Sequence, residues 1–175
     1  PVRHIQFEGV TFAHATWLRP SDVGLVELQA NFTLGPELLL FARGGTTKAG
    51  CLMSVHCECT KSPANIVCHA AESIRFERCT FTKLGGAGID IEYGSRNNVI
   101  SRCEFYDISG TAIQIGDIQR ADHHPADPRE VVKDNIISNS IIHDAAVDYK
   151  GGVGVFVGYT DGTVVRNNEI FDLPY

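Results

Sequence analysis

Asp90 and Glu92 stand two positions apart in GGAGIDIEYG, and Asp117 closes the related segment GTAIQIGD. Ile89 and Ile91 take one face of the first segment, so Asp90 and Glu92 take the other. The same alternation sets Gln114 outward between Ile113 and Ile115, and Phe156 outward between Val155 and Val157. Strand positions two apart lie ~6.7 Å from each other along one face. Two carboxylates can divide acid–base or nucleophilic work on an acetal at ~5–5.5 Å or at ~6.5–9.5 Å, and the spacing leaves both open. Asp90 and Asp117 are the expected catalytic pair. Glu92, Gln114, His123, His124, Asp127, Phe156, Tyr159 and Asp161 are expected to surround it and hold substrate. Acids for proton transfer, aromatic faces for pyranose rings and polar groups for hydroxyls are what a sugar groove requires. The plain alternative for each acid is a solvated position on an outer strand face.

Other polar residues carry less chemistry. Asp107, Asp144 and Asp172 recur at one turn, with Lys83 in the same column, and a recurring turn Asp is expected to cap backbone N–H groups. Asp148, in the unrepeated DYK, could meet Asp107 across adjacent repeats. His123 and His124, with Asp122 and Asp127, could bind a metal, but neighbours on an extended loop point apart, so hydrogen bonding is the better reading. No cofactor is expected, although Asp90, Glu92 and Asp117 could supply a Ca2+ site. Cys51, Cys57 and Cys59, near His56, could pair or bind metal, but their spacing is not a standard zinc pattern.

The element that must position these residues is a repeat. IRFERCTF, NVISRCEF, NIISNSII and TVVRNNEI open successive copies from Ile74 onward. Cys79, Cys103, Ser140 and Asn168 share one column, Phe81, Phe105, Ile142 and Ile170 another, and Ile89, Ile113 and Val155 a third. IQFEGVTF at Ile5–Phe12 is an outlying copy, with Phe7 over Phe76, Val10 over Cys79 and Phe12 over Phe81. Period-two strands recurring every few tens of residues mark a solenoid. The expected fold is all-β, a right-handed parallel β-helix, with the hand taken from the general crossover preference. Cys79 and Cys103 are expected as stacked core thiols, and glycines at the corners are expected to supply positive φ.

Residues 1–175 are read as one domain with an insertion at about 35–62 and a long loop at about 117–134. DIQRADHHPADPREVV, with its prolines, cannot be a core strand. Both ends read as cuts in a longer protein, because an uncapped solenoid end exposes unpaired strands. The formal net charge is -6 and the cations are scattered, which argues against a nucleic-acid partner. No apolar run approaches the ~20 residues that cross a bilayer. Asn31-Phe32-Thr33 is a glycosylation sequon compatible with secretion.

GGAGIDIEYGS, ISGTAIQIGD, DHHPADPR, YKGGVGVFVGYTDGT and NNEIFDLPY together resemble motifs of the right-handed parallel β-helix repeat family, and are similar to those of glycoside hydrolase family 141. The resemblance covers residues 1–34 and 63–175. It implies a secreted or cell-envelope protein that acts on a polysaccharide or oligosaccharide through an acid pair, without placing that pair. The leading expectation is a glycoside hydrolase on a plant or microbial polysaccharide. A polysaccharide lyase or epimerase ranks below it, for lack of a Lys or Arg placed as base. A non-catalytic carbohydrate-binding or structural solenoid is the third reading.

Overall fold

The computed structural model of the chain describes residues 2–17, 32–34 and 59–174. Sixteen strands, numbered β1 to β16 along the chain, occur among them. Three parallel sheets form the walls of the coil. The first pairs β1 (Gln6–Glu8), β6 (Arg75–Glu77), β9 (Val99–Ser101), β12 (Ile136–Ser138) and β15 (Val164–Arg166). The second pairs β2 (Thr11–Ala15), β7 (Thr80–Leu84), β10 (Glu104–Ile108), β13 (Ile141–His143) and β16 (Glu169–Phe171). The third pairs β5 (Ala64–His69), β8 (Ala87–Glu92), β11 (Ile113–Ile115) and β14 (Val155–Val157). Each strand pairs with its counterpart one coil away, the topology of a right-handed parallel β-helix. A short antiparallel pair, β3 (Phe32–Leu34) with β4 (Cys59–Lys61), flanks residues 35–58. The readings on Cys51, Cys57, His56 and the Asn31 sequon, and on the Cys59 side chain, lie outside what is described.

The apolar columns become ladders inside the coil. Phe105 lies opposite Phe81 and Ile142, and Ile142 opposite Ile170. Ile113 lies opposite Ile89 and Val155. Phe81 and Phe105 stack at 4.3 Å with planes 1° apart. One coil cannot bury its inner face; stacking closes it on both sides and removes these rings from water. Cys68, Cys79 and Cys103 are buried free thiols, as the inward column requires for the last two.

Polar ladders run beside the apolar ones. Asn98 Nδ2 donates to Asn135 Oδ1 at 2.9 Å and to the Ala71 carbonyl at 3.1 Å, while the Ile74 N–H donates to Asn98 Oδ1. Along the cysteine column, the Cys103 N–H donates to Ser140 Oγ and the Ser140 N–H to Asn168 Oδ1. These bonds satisfy backbone groups that the corner leaves without a sheet partner.

The corners correct two expectations. Positive φ is carried mostly by residues other than glycine. Arg78, Arg102, Asn139 and Asn167 form one such row, and His14, Lys83, Asp107, Asp144 and Asp172 another. Continuity of the ladders on both sides of a corner forces the left-handed conformation whatever the side chain. The recurring Asp column is therefore structural through its backbone, with φ of 52°, 45° and 50°, rather than through capping. Asp148 accepts a bond from Ser109 Oγ at 2.7 Å. Because Lys83 is exposed at φ 52°, Lys83→Gly should hold or raise stability by up to ~1 kcal/mol, and Lys83→Val should lower it by more than ~1 kcal/mol. Thermal unfolding of the two variants checks this opposite sign.

On the outer side of the second sheet, His143 stacks between Tyr106 and Phe171 at 5.5 and 5.1 Å. Hydrogen bonding to Asp144, with help from Glu104, raises its pKa above the ordinary imidazole value of 6.5. A raised imidazole favours the folded state below pH ~6.5, and that contribution fades as pH climbs through the folded value. An NMR titration of His143 should show a midpoint above 6.5, and Asp144→Asn should bring the midpoint down.

Candidate active site

The third sheet holds the row on which chemistry was expected. Gln114 lies opposite Asp90 on one side and Phe156 on the other, and Val67 lies opposite Asp90 one coil earlier. The alternation reading therefore holds: Ile89, Ile91, Ile113 and Ile115 fill the core, and Asp90 and Gln114 leave it on the opposite side. The expectation that these two face solvent does not hold. Asp90 is 4% exposed and Gln114 0%.

What covers them is Lys61 and Ser62, which lead from β4 into β5. Lys61 Nζ donates to both oxygens of Asp90, at 2.7 and 2.6 Å, and to Glu92 Oε2 at 3.4 Å. Gln114 Nε2 donates to the Ser62 carbonyl at 3.0 Å. The chain is held there by the Ala87 N–H, which donates to the Pro63 carbonyl. The Lys61 and Asp90 side chains are only 5% and 6% exposed. Burial pushes the Asp90 carboxyl up to about 7 against the pull of Lys61, with Glu92 and Asp117 adding to the rise. A carboxylic acid held near neutrality can carry a proton at working pH, and such perturbation gathers at functional sites.

Outward from this pair lie acids that water can reach. The Glu92 side chain is 29% exposed, and His69 Nδ1 stands 3.5 Å from its Oε1. Asp117 is half-buried, and its Oδ1 accepts from the Ile118 N–H at 2.7 Å. Asp122 is raised by burial and then by the charge of Asp117, and it also feels Lys61 and Glu92. Asp122 and the buried Asp90 thus both feel the charges of Asp117 and Glu92.

The long loop brings Asp122 there by a local fold that the sequence reading missed. Arg120–His123 forms a helical turn, α1, and Pro128–Glu130 a 3-10 turn. The turn overrides the extended geometry expected for His123 and His124. Their rings meet at 4.4 Å, and His123 lies 4.8 Å from the Tyr159 ring. Asp127 spends its carboxylate locally, on the Arg129 N–H at 2.8 Å and on the Arg129 guanidinium, which holds it down at about 2. That is a cap of the 3-10 turn rather than a free sugar contact.

The remaining expected residues divide. Phe156 is half-buried in the Asp90 row, and Tyr159 is exposed at the corner, its N–H bonded to the Asp117 carbonyl. Asp161 falls into a different column, beside Lys133, and continues the line of Arg3, Glu72 and Arg96. Among the described residues, no group of three or more His, Cys, Asp or Glu is arranged to hold a metal ion. Both Asp90 oxygens face the Lys61 ammonium. Lys61, His69 and Tyr93 carried no periodic signal. His69 stacks on Tyr93 at 4.6 Å, and Tyr93 Oη donates to Glu130 at 2.7 Å.

A coil of three parallel sheets with an outer acidic corner defines the class, and the chain belongs to the right-handed β-helix family. The family described as "Right handed beta helix region" matches residues 47–124 and 65–173. A solved structure titled "Glycoside hydrolase" shares the fold at a TM-score of 0.80 with 30% sequence identity. The alignment takes in 100% of this chain and 30% of that one, so the chain spans under a third of that protein's length. No curated protein matched the sequence.

Proposed function

We propose that the chain forms part of a glycoside hydrolase that cleaves a plant or microbial polysaccharide outside the cell. The observation that carries this reading is the convergence of Glu92, Asp117 and Asp122 at one solvent-reachable corner, beside Asp90. The fold shared with a protein titled "Glycoside hydrolase" supports it, as does the resemblance of the repeat motifs to family 141. Glu92 and Asp117 are the pair best disposed to meet a glycosidic oxygen. The register that sets Ile115 beside Ile91 sets Gly116 beside Glu92, so Asp117 follows one residue later on the next coil. That places the two backbones roughly 5–6 Å apart. Asp90, behind them, acts through Lys61 and the shared charge rather than by touching sugar.

A lyase reading gains one point, because Lys61 stands among the acids. Its nitrogen is engaged by Asp90 and Glu92 and its side chain is 5% exposed, so a sugar C–H has no path to it as a base. The test is a hydrolysis screen of the full-length protein on a polysaccharide library. New reducing ends without ultraviolet absorbance support the hydrolase. A 4,5-unsaturated uronate absorbing in the ultraviolet supports the lyase. Binding without any product leaves a carbohydrate-binding solenoid.

A further inference from the structure

Two exposed tyrosines flank the acidic corner, and each is braced by an imidazole. Tyr93, next to Glu92, is 43% exposed with His69 stacked flat against it at 13° between planes. Tyr159, bonded through its N–H to the Asp117 carbonyl, is 44% exposed with His123 leaning on it. Tyr93, Asp117 and Tyr159 follow equivalent strand ends on three successive coils. Two strand spacings separate the tyrosines, on the order of 10 Å. That span fits two successive pyranose rings, with the bond between them over Asp117 and Glu92. A tyrosine face is the negative side of its quadrupole and meets the positive C–H face of a pyranose. Large exposed aromatics held in place by neighbours lose little entropy on binding.

The charge around the tyrosines restricts what can bind. Glu92, Asp117, Asp122 and Glu130 are acids. Among the described side chains at this corner, the cations are Lys61, buried on Asp90 and Glu92, and Arg129, held by Asp127. An incoming uronate carboxylate would meet like charge, with the Lys61 ammonium buried and the exposed Arg129 guanidinium already paired with Asp127. We infer that Tyr93 and Tyr159 form a two-ring platform for an uncharged oligosaccharide lying along the solenoid axis, a subsite of the hydrolase read above.

The test measures binding of the full-length protein to an array of neutral oligosaccharides and to hexagalacturonate. Calorimetry on the best neutral hit then compares Tyr93→Ala and Tyr159→Ala with Tyr93→Phe and Tyr159→Phe. Each alanine variant should bind about 3- to 10-fold more weakly, and each phenylalanine variant should bind as the parent does. Circular dichroism confirms that the alanine variants remain folded. The proposal is overturned if hexagalacturonate binds more tightly than every neutral probe, if no neutral probe binds, or if both folded alanine variants keep full affinity. The two readings fail separately. Tyrosine-dependent binding without cleavage overturns the hydrolase and keeps the platform, and cleavage untouched by either alanine does the reverse.

Discussion

Lys61→Met should destabilise the protein by about 3–5 kcal/mol at pH 8, because it strands the Asp90 carboxylate in a buried site. The pair is 5% and 6% exposed and joined by two bonds of 2.7 and 2.6 Å, so little water can replace the ammonium. Removing both charges together, as Lys61→Met with Asp90→Leu, should restore most of the loss, since desolvation then vanishes with the Coulomb gain. The effect should depend on pH with a definite sign. The folded-state value of Asp90 is about 7 against 3.8 for the free group. The folded state therefore holds an extra proton between those values, and this contribution to stability is complete below pH ~4 and lost as pH rises through ~7. A protonated Asp90 has little need of Lys61, so the cost of Lys61→Met should shrink markedly at pH 5. Urea unfolding at the two pH values checks this. Equal losses at both would show that charge in the pair is not the cause.

Asp117→Asn and Glu92→Gln in the full-length protein should each lower kcat on the cleaved glycan by about 10²–10⁴-fold. Neither substitution removes a core group: Asp117 is half-buried and the Glu92 side chain is 29% exposed. Thermal unfolding should therefore stay near that of the parent, which separates lost chemistry from lost fold. Asp90→Asn should behave differently, with a fall in stability through the uncompensated Lys61 and a smaller loss of kcat in the fraction that remains folded. Steady-state rates beside melting curves for the three variants decide the assignment. Full activity in Asp117→Asn or in Glu92→Gln removes that residue from the mechanism. A loss of kcat in Asp90→Asn that exceeds both, at unchanged stability, returns Asp90 to the reacting pair.

The repeat was legible because strand periodicity is local. Phe81 over Phe105 and Ile89 over Ile113 follow from aligning short segments, and the structure sets them opposite each other with no slip of register. A one-residue slip would turn every inward ring outward, so the columns specify the pairing strongly. Inward and outward assignments for Asp90 and Gln114 came from the same alternation. The corners were less legible. Their left-handed backbone is imposed by the sheets on either side, and Arg78 or Lys83 adopts it without any glycine to announce it.

By itself the sequence determined a parallel coil with aligned core ladders, and an outer corner where Glu92, Asp117 and Tyr159 stand within a few residues of the strand ends. Tertiary structure alone decided which of those acids water can reach. Lys61 ends β4, just ahead of β5 and outside every aligned copy of the repeat, and the passage of the chain through Ser62 and Pro63 over the third sheet lays its ammonium on Asp90 and closes that carboxylate from solvent. Alternation says which side of a strand a residue takes; it carries no information about what a separate part of the chain will lay across that side. That contact between distant segments turns an outward aspartate into a buried one and leaves Glu92 and Asp117 as the acids at the surface.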